Sequence, residues 1–451
     1  LLMMMTLDYL FNWGLLTFVT GLETQFYYAV VALLLPLVFL LWPMRSSQQE
    51  QSIPWYDYLL SAVTLIVGGY FVYNAVPILE RGWAFAAPDI AIYFSYAYWL
   101  LIIEAARRAG GLPIAIIAGV FSLYPLVADI VPGPIQAFPS SLPETAMYHT
   151  MSTESIMGVP LQAFAGLVIG FLVFGVVLQK SGGGKFFINL AFALLGHVRG
   201  GPAKVSIFAS GLMGMINGTS AGNVVSTGSL TIPLMKKVGY PARSAGAIEA
   251  AASTGGQIMP PIMGAGAFIM AEVTGIPYTE IAVAALIPAI LYFASIYFMV
   301  DFEAARKGMR GMRKDEIPLF SKLVKQAYLF APIIILIAAL FMGYSVIRAG
   351  TLATVSAAVV SWFSPNKMGI RKILEALEIA SYMAIQIIVV CAAAGVIVGV
   401  ISLTGVGARF SVLLLDVAEA SQLLALIFAM FISILLGMGM PTTAAYAVAA
   451  S

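Results

Sequence analysis

Long apolar runs separated by short polar links dominate the chain and predict membrane-spanning helices. The first four runs are close to the roughly 20 residues that a spanning helix needs. The first four cover residues 26–42, 55–76, 84–103 and 111–131. Later runs cover residues 158–178, 241–273, 279–300, 326–347, 350–363 and 375–401. We therefore expect an all-α polytopic membrane protein that begins with a four-helix unit over residues 1–131.

One stretch breaks this pattern. Residues 211–223 are rich in glycine and hydroxyl groups and lie between apolar arms of 14 residues (204–217) and 15 residues (221–235). Both arms are too short to cross a bilayer, so the segment 204–236 is predicted to be a re-entrant hairpin. Backbone that leaves a helix at membrane depth is tolerated only inside protein or beside a watery cavity, where it can bind ligands. The alternative is a glycine-rich kink between two core helices.

The hairpin sequence recurs later in the chain. Residues 208–225 align with residues 431–448 at an offset of 223, and 8 of the 18 pairs are identical. An internal repeat at this offset predicts a second hairpin over residues 424–451. The matching broken helix of the second half is expected beyond Ser451.

Composition and charge support a membrane protein with two halves of opposite orientation. Hydrophobic residues make up 61% of the chain and charged residues 10%. Positive charge marks the cytoplasmic side, so the link 132–157, which has no lysine or arginine, is expected outside. The basic residues near 204, 236 and 306–325 are expected inside. The resulting half-folds, 158–325 and 326–451, are an inverted repeat whose hairpins open to opposite sides.

A second interruption follows the first hairpin. Residues 251–261 contain two glycines and two prolines, which cannot all be helical, so the helix should break near residues 254–261. Carbonyls freed there, with the hydroxyls of Ser253 and Thr254, suit a sodium ion. The hairpin tip can add Asn217, Thr219 and Ser220, and helix N-termini there present donors to a carboxylate. The alternative is a purely structural kink.

A few other polar residues could carry chemistry. Glu249, on a membrane helix, is a candidate proton carrier. It could instead pair with Arg243 or face water in a cytoplasmic vestibule. His149 and His197 are expected to be solvated, and the lone Cys391 excludes an intrachain disulfide. The segment 181–185 lacks the pattern of a phosphate-binding loop, and no protease constellation is present, so no enzymatic activity is expected. Asp8 and Glu23 flank a weakly apolar segment, so no cleavable signal peptide is expected at the start.

Two motifs carry a family resemblance. They are Gly-Leu-Met-Gly-Met-Ile-Asn-Gly-Thr-Ser-Ala-Gly-Asn (211–223) and Gly-Tyr-Pro-Ala-Arg-Ser-Ala-Gly-Ala-Ile-Glu-Ala-Ala-Ala-Ser-Thr-Gly-Gly-Gln-Ile-Met-Pro-Pro-Ile-Met-Gly-Ala-Gly-Ala-Phe (239–268). Together they resemble the large membrane subunit of tripartite ATP-independent periplasmic (TRAP) transporters. The chain is most similar to the branch that fuses the small four-helix and large subunits and works with a TAXI-type binding protein.

This resemblance implies an elevator-type secondary transporter in the bacterial inner membrane, multi-pass and embedded in the lipid bilayer. The family takes up small organic acids, which a periplasmic binding protein delivers, and we expect dicarboxylates such as 2-oxoglutarate or glutamate here. No nucleic-acid partner and no cofactor are implied, and sodium or a proton is the coupling ion. The competing classes are an ion or solute channel, a non-transporting scaffold and an ATP-driven permease.

The family's sites map onto both hairpin tips and the helix break. The implied substrate-binding residues are Asn217, Gly218, Thr219, Ser220, Asn223, Gly439, Thr442 and Thr443. The implied sodium-binding residues are Gly214, Asn217, Ser253, Thr254, Gly255, Gly256 and Pro260. Glu249 keeps proton coupling open.

Overall fold

A computed structural model describes residues 1–11, 13–44, 53–409, 421–437 and 442–450. The chain is 79% helical, and these described residues form no strand. The predicted all-α class is confirmed.

Contacts divide the chain into two compact units. The first comprises Leu1–Gly166 and Ser381–Ser451, and the second comprises Leu167–Ala380. The helices of the first segment are α1 (Leu2–Phe11), α2 (Thr17–Thr20), α3 (Glu23–Leu41), α4 (Trp55–Tyr73), α5 (Ala75–Glu80), α6 (Asp89–Ala105), α7 (Leu112–Leu123), α8 (Leu142–Met151) and α9 (Val159–Ala163). The π-helical turns Ala106–Gly110 and Phe164–Val168 extend α6 and α9, and 3₁₀ turns lie at Tyr124–Leu126 and Gly133–Ile135.

The second unit contains most of the remaining helices. They are α10 (Ile169–Lys180), α11 (Gly183–Leu195), α12 (Gly201–Asn217), α13 (Ser220–Lys237), α14 (Ala242–Gly255), α15 (Ala265–Thr274), α16 (Tyr278–Arg306), α17 (Phe320–Val324), α18 (Ala331–Phe341) and α19 (Val346–Ser361). Short 3₁₀ turns lie at Gly256–Ile258, Lys314–Glu316 and Ala327–Phe330. Helix α20 (Ile370–Thr404) begins in this unit and ends in the first, which also holds α21 (Gln422–Gly437) and α22 (Thr442–Ala450).

Six helical segments of the described chain are long and apolar enough to cross a membrane. They are Glu23–Leu41, Trp55–Tyr73, Asp89–Gly110, Val159–Lys180, Tyr278–Arg306 and Ile370–Thr404. Each matches a run expected from hydropathy, although the third begins five residues later than predicted. The chain is therefore a multi-pass membrane protein, while the sidedness inferred from charge stays a prediction.

The N-terminal helices pack closely enough to exclude water from an ion pair. A Cβ on Gly68 of α4 would lie 2.8 Å from the Ala32 Cβ of α3, so these helices nearly touch at their backbones. Arg108 and Asp57 form an ion pair of 2.7 Å whose side chains are 2% and 0% exposed. A second carboxylate, Glu104, accepts from Arg108 Nε at 2.7 Å. The buried guanidinium is thus neutralised by two acidic side chains.

The link at residues 132–157 departs from the prediction in two ways. It contains a helix, α8, which opens with a capping box between Ser141 and Glu144. The expectation that His149 is solvated is wrong, because this side chain is fully buried. Its Nδ1 lies 3.0 Å from Ser155 Oγ and its Nε2 lies 3.2 Å from the Ser122 carbonyl oxygen. Burial lowers the pKa of His149 to about 4. His197 is exposed, as expected.

In the second unit, α12, α13 and α14 pack against one another, and α16 packs against α12 and α14. Their contact is filled by apolar side chains that include Ile207, Met235, Ala252 and Ile296. At the foot of α12, Lys204 Nζ donates to Asp301 Oδ1 of α16 at 2.5 Å, and Arg199 Nε donates to the same carboxylate at 2.9 Å. This bundle positions the candidate site.

Candidate functional site

A helical hairpin lies where the sequence predicts one, with a turn only two residues long, and its re-entrant placement in the membrane stays a prediction. Helix α12 ends at Asn217, Gly218 is left-handed with φ of +59°, and Thr219 is extended. Thr219 caps α13, because its Oγ1 accepts from the Gly222 N–H at 3.3 Å. Gly218 is required by its φ and by space, since a Cβ there would lie 2.6 Å from the Met263 carbonyl oxygen. The glycine- and hydroxyl-rich segment 211–223 is therefore mostly helical and not an extended turn.

The predicted helix break lies directly opposite α12. Helix α14 ends at Gly255, a 3₁₀ turn follows at Gly256–Ile258, and α15 begins only at Ala265. A Cβ on Gly214 would lie 2.2 Å from the Gly256 Cα. The first hairpin arm and the break therefore meet backbone to backbone, which only glycine at both positions allows.

Protein groups already occupy several carbonyl oxygens that the break releases. Tyr278 donates its hydroxyl to the Pro261 carbonyl at 2.9 Å and also contacts the Ile262 carbonyl. The Gln257 carbonyl accepts from the Gly264 N–H at 2.7 Å. Because these backbone oxygens already accept hydrogen bonds that stabilise the break, side-chain oxygens are the stronger candidates for ion ligands.

Two side-chain oxygens at the tip and break are buried and have no hydrogen-bond partner within the described chain. One is Asn223 Oδ1, on a side chain that is 1% exposed, and the other is Gln257 Oε1. The Asn223 amide nitrogen donates to the Ser210 carbonyl at 2.9 Å and the Ser253 carbonyl at 3.4 Å. It also lies 2.8 Å from the position of a Cβ on Gly256. Buried carbonyl oxygens without donors are unfavourable unless a cation or water satisfies them, so they fit a hard cation such as sodium.

Glu249 lies one layer below Asn223 in a cage of hydroxyl groups. Its side chain is fully buried, and each carboxylate oxygen contacts two hydroxyls. Oε2 accepts from Ser206 of α12 at 2.6 Å and from Thr231 of α13. Oε1 accepts from Thr227 of α13 and from Ser253 of α14 at 3.2 Å. Glu249 thereby ties both hairpin arms to the helix that leads to the break.

Neither alternative considered for Glu249 matches its surroundings. Arg243 is exposed, and Glu249 forms no ion pair with any residue in the described ranges. Full burial also excludes a position in a watery vestibule.

Helix α13 has a second face beside the one that carries Asn223, Thr227 and Thr231. Ser226, Leu230 and Leu234 line a cavity of about 530 Å³ between α13, α11 and the segment 312–318. The cavity is mostly apolar. Its polar lining includes Gln179, which donates to Ser226 Oγ at 3.0 Å, and the half-buried Asn189. The second hairpin arm is thus held firmly on one side and borders open space on the other.

The structure gathers some predicted site residues and separates others. Asn223 is buried beside Gly256 and donates to the Ser253 carbonyl, so it lies among the predicted ion-binding residues and not at the outer tip. Ser253 contacts Glu249, whereas the exposed Thr254 donates to the Ala250 carbonyl of its own helix at 2.8 Å. The half-buried residues of the tip and break are Gly218, Thr219, Ser220 and Pro260.

The remaining predicted residues lie elsewhere. Asn217 ends α12, and its side chain lies outside the described part. Thr442 and Thr443 open α22, with Thr442 exposed and Thr443 half-buried. Gly439 lies outside the described residues.

The sequence reasoning missed the partners of Glu249. A signal for them exists, because Ser206 and Ser210 on α12, and Asn223, Thr227 and Thr231 on α13, recur at a spacing of four residues. Glu249 and Ser253 have the same spacing on α14. Residues four apart share a helix face, so three polar stripes predict one shared polar layer.

Comparison with known proteins assigns the family. The family described as "Tripartite ATP-independent periplasmic transporter, DctM component" matches residues 97–451. A protein of Haemophilus influenzae described as a TRAP transporter large permease is 25% identical over 301 residues, covering 64% of this chain and 66% of its own length. The C4-dicarboxylate TRAP transporter large permease protein DctM of Pseudomonas aeruginosa is 22% identical over 248 residues, covering 54% of this chain and 56% of its own.

The sialic acid TRAP transporter permease protein SiaT of Haemophilus influenzae is 24% identical over 261 residues, which cover 54% of this chain and 42% of that protein. The chain spans from about a third to about two thirds of the length of curated relatives that it matches. Because the family match covers well over half of its residues, the chain belongs to the DctM family of tripartite ATP-independent periplasmic transporters, a family of multi-pass inner-membrane proteins.

Proposed function

We propose that the chain is the permease of a secondary active uptake system for small organic acids, with the hairpin tip and the helix break forming its ion site. The observation that carries this proposal is the buried, unpartnered Asn223 Oδ1, on a side chain whose amide nitrogen lies against Gly256, where the break meets Gly214. A cation bound there would satisfy an oxygen that otherwise lacks a donor. Gln257 Oε1 would supply a second oxygen, and backbone carbonyls of the tip could complete the set.

The substrate is proposed to be a small carboxylate, with dicarboxylates such as 2-oxoglutarate or glutamate as the first candidates. The N-terminus of α13 at Ser220 presents the positive end of an 18-residue helix, which favours an anion. The printed names of relatives include C4-dicarboxylates and sialic acid, both of which are organic acids. Thr442 and Thr443, with Gly439, are proposed to contribute from the second hairpin.

The assembly is proposed to include a periplasmic binding protein of the TAXI type. Helices α1 to α5 precede the family match, which begins at residue 97. This extra segment supports the proposal that residues 1–131 correspond to a fused small subunit. In that arrangement the N-terminal helices brace the protein while the hairpin-bearing part carries substrate across the membrane.

Uptake into proteoliposomes tests this function. The purified chain would be reconstituted, and uptake of radiolabelled 2-oxoglutarate, glutamate and succinate measured under an imposed sodium gradient or pH gradient, with and without the binding protein. Secondary transport predicts accumulation that requires one of the gradients and the binding protein. Downhill flux without either would favour a channel, and a requirement for ATP would favour an ATP-driven permease.

A matched pair of variants tests the site itself. Asn223→Leu removes the unpartnered oxygen with little change in volume, and we expect gradient-driven uptake to fall at least about tenfold, which corresponds to the loss of one buried charged contact. Asn189→Leu makes the same chemical change on α11, away from the tip, and should retain uptake. Normal uptake by Asn223→Leu would reject the assigned ion site.

A further inference from the structure

The segment that follows α16 packs firmly against the helices of the hairpin bundle. The Met312 N–H donates to the Gly196 carbonyl, just after α11, at 2.8 Å. A Cβ on Gly311 would lie 2.2 Å from the His197 carbonyl oxygen, so the two backbones touch. Helix α17 also packs against α11. Residues 306–325, the basic segment, therefore hold a fixed position beside the bundle.

Most of the charge on the basic segment is positive. The segment has seven lysines and arginines and two acidic residues, Asp315 and Glu316. Glu316 forms an ion pair with Lys237. Lys307 pairs with Glu303 of α16 at 2.5 Å. Five other cations of the segment are exposed and form no ion pair with any residue that the structure describes: Arg306, Arg310, Arg313, Lys322 and Lys325.

Exposed apolar side chains lie among these cations. Leu319, Phe320 and Val324 are 62%, 51% and 56% exposed, and Lys322 and Lys325 are interleaved with them along the chain. Such apolar surface is unfavourable in water and favourable in the headgroup region of a bilayer, where neighbouring lysines reach phosphate groups. A soluble polyanion would satisfy the cations but not the apolar side chains. The combination therefore favours an anionic phospholipid.

The basic segment also lies next to a predicted exit of the chain from the bilayer. Helix α16 is long and apolar enough to span a membrane, and Phe298 and Phe302 near its end are exposed, as side chains that face lipid are. Arg306 ends this helix, which places it at the depth of the headgroups. The chain returns with the run predicted to span the membrane over residues 326–347. Both ends of the basic segment are thus expected at the same membrane surface.

The basic segment contacts both feet of the hairpin, the ends of α12 and α13 that lie away from its tip. Glu316 pairs with Lys237, the last residue of α13. Gly311 and Met312 contact residues 196–197, shortly before α12 begins. A lipid that holds the basic segment therefore also restrains the feet of the hairpin.

We propose that the basic segment is a docking surface for anionic phospholipids of the leaflet that it faces, and that lipid bound there steadies the feet of the hairpin. Phosphate oxygens accept hydrogen bonds from the exposed lysines and arginines, while Leu319, Phe320 and Val324 enter the boundary of the acyl chains. Each basic residue near an anionic surface contributes roughly fivefold in affinity. The surface therefore prefers anionic to zwitterionic lipid. Lipid docking here is independent of the ion site and of the transported substrate.

Lipid binding by the purified full chain in detergent tests this assignment. Thermal unfolding is followed while mixed micelles of phosphatidylglycerol, or of phosphatidylcholine with the same acyl chains, are titrated in. We expect the apparent Kd for phosphatidylglycerol to be at least about tenfold lower, and about 0.5 M NaCl should remove most of this preference because salt screens exposed charges. Equal affinities for the two lipids would overturn the proposal. Equal stabilisation by glycerol 3-phosphate would also overturn it, because that result indicates a site for small anions.

Variants locate the docking surface. Lys322→Gln/Lys325→Gln removes two exposed cations from the basic segment, and the preference for phosphatidylglycerol should fall at least about fivefold. Lys367→Gln/Arg371→Gln removes two exposed cations near the start of α20 and should keep the wild-type preference. An equal loss in both double variants would show general charge attraction and overturn the assignment. Phe320→Ser should weaken the binding of both lipids, and unchanged binding would rule out contact of this side chain with the acyl region.

The effect of lipid on the hairpin has a separate readout that needs no transported substrate. Amide hydrogen exchange is measured for the full chain in nanodiscs of phosphatidylglycerol or phosphatidylcholine. In wild type, exchange over residues 196–204 and 234–240 should slow at least about threefold in phosphatidylglycerol, because bound lipid opposes local opening. Lys322→Gln/Lys325→Gln should lose this difference. Exchange that is the same in both lipids for the wild type overturns the claim that lipid steadies the feet.

Discussion

Gly214 and Gly256 approach so closely that adding one methyl group, in Gly256→Ala, tests whether the break is part of the ion site. In Gly256→Ala, the new Cβ would lie 2.8 Å from the Gly214 Cα and 2.8 Å from Asn223 Nδ2. Gly256 has φ of −58° and ψ of −25°, which alanine adopts freely, so any effect is steric and not conformational. The hairpin must move away from the break to make room.

The size of the effect follows from overpacking. Extra methyl groups in a well-packed core cost about 1–3 kcal/mol. The cation-binding arrangement needs the closed contact, whereas the empty protein can relax by separating α12 from the break. Most of the strain therefore appears as lost affinity, and about 1–3 kcal/mol corresponds to roughly a 5- to 150-fold rise in the sodium Kd.

The assay compares Gly256→Ala with Gly246→Ala on α14, the helix that leads to the break. A Cβ on Gly246 meets no atom within 4 Å, so that variant should bind sodium normally and gain about 0.5–1 kcal/mol of stability from the higher helix propensity of alanine. Sodium-dependent thermal unfolding and gradient-driven uptake are measured for both. Wild-type sodium affinity in Gly256→Ala would refute the assignment of the break as part of the ion site.

Three further predictions concern buried polar groups. Ser206→Ala removes one of the hydroxyls that donate to Glu249 and should destabilise the protein by about 1–3 kcal/mol in thermal unfolding, with a neutral result contradicting a stabilising role for this buried hydrogen bond. Because the pKa of His149 is lowered to about 4, its neutral form stabilises the fold at neutral pH. That contribution, about 3 kcal/mol, should be lost as pH falls from about 6.5 towards 4, and His149→Gln should flatten this part of the unfolding-versus-pH curve. Arg108→Leu should cost about 3–5 kcal/mol because it leaves Asp57 buried and unpaired, and adding Asp57→Leu should recover much of the loss; an additive double variant would contradict a direct pairing.

The parts of the fold that were predicted correctly depend on local pattern. Membrane spans follow from the length of apolar runs, and the hairpin follows from two arms that are too short to cross. The break follows from the glycines and prolines of residues 255–261, which cannot continue a helix whatever surrounds them. Its end was missed by three residues, since Gly264 closes it through a hydrogen bond to Gln257 that sequence does not reveal.

The parts that were missed depend on tertiary packing. Glu249 stands out in the sequence as a carboxylate in an apolar helix, but its partners come from three helices whose relative rotation the sequence leaves open. His149 reads as a polar residue in a link, and it is buried because α8 packs beside α6 and α7. In both cases a buried polar side chain forms hydrogen bonds with other protein groups and not with water.

The attachments of the hairpin limit how it can open. Asp301 holds the foot of α12 through Lys204, Glu249 holds the middle of both arms, and glycine contacts hold the upper part of α12 against the break. Opening the whole hairpin would expose a buried carboxylate and several hydroxyls without partners, at a cost of about 1–3 kcal/mol for each group. Movement confined to the tip, Gly218–Asn223, breaks fewer such bonds. The cavity lined by Ser226 leaves space for the start of α13 to shift. Release of a bound cation would then need only a small displacement of the second arm, with the contacts of Lys204 and Glu249 kept intact.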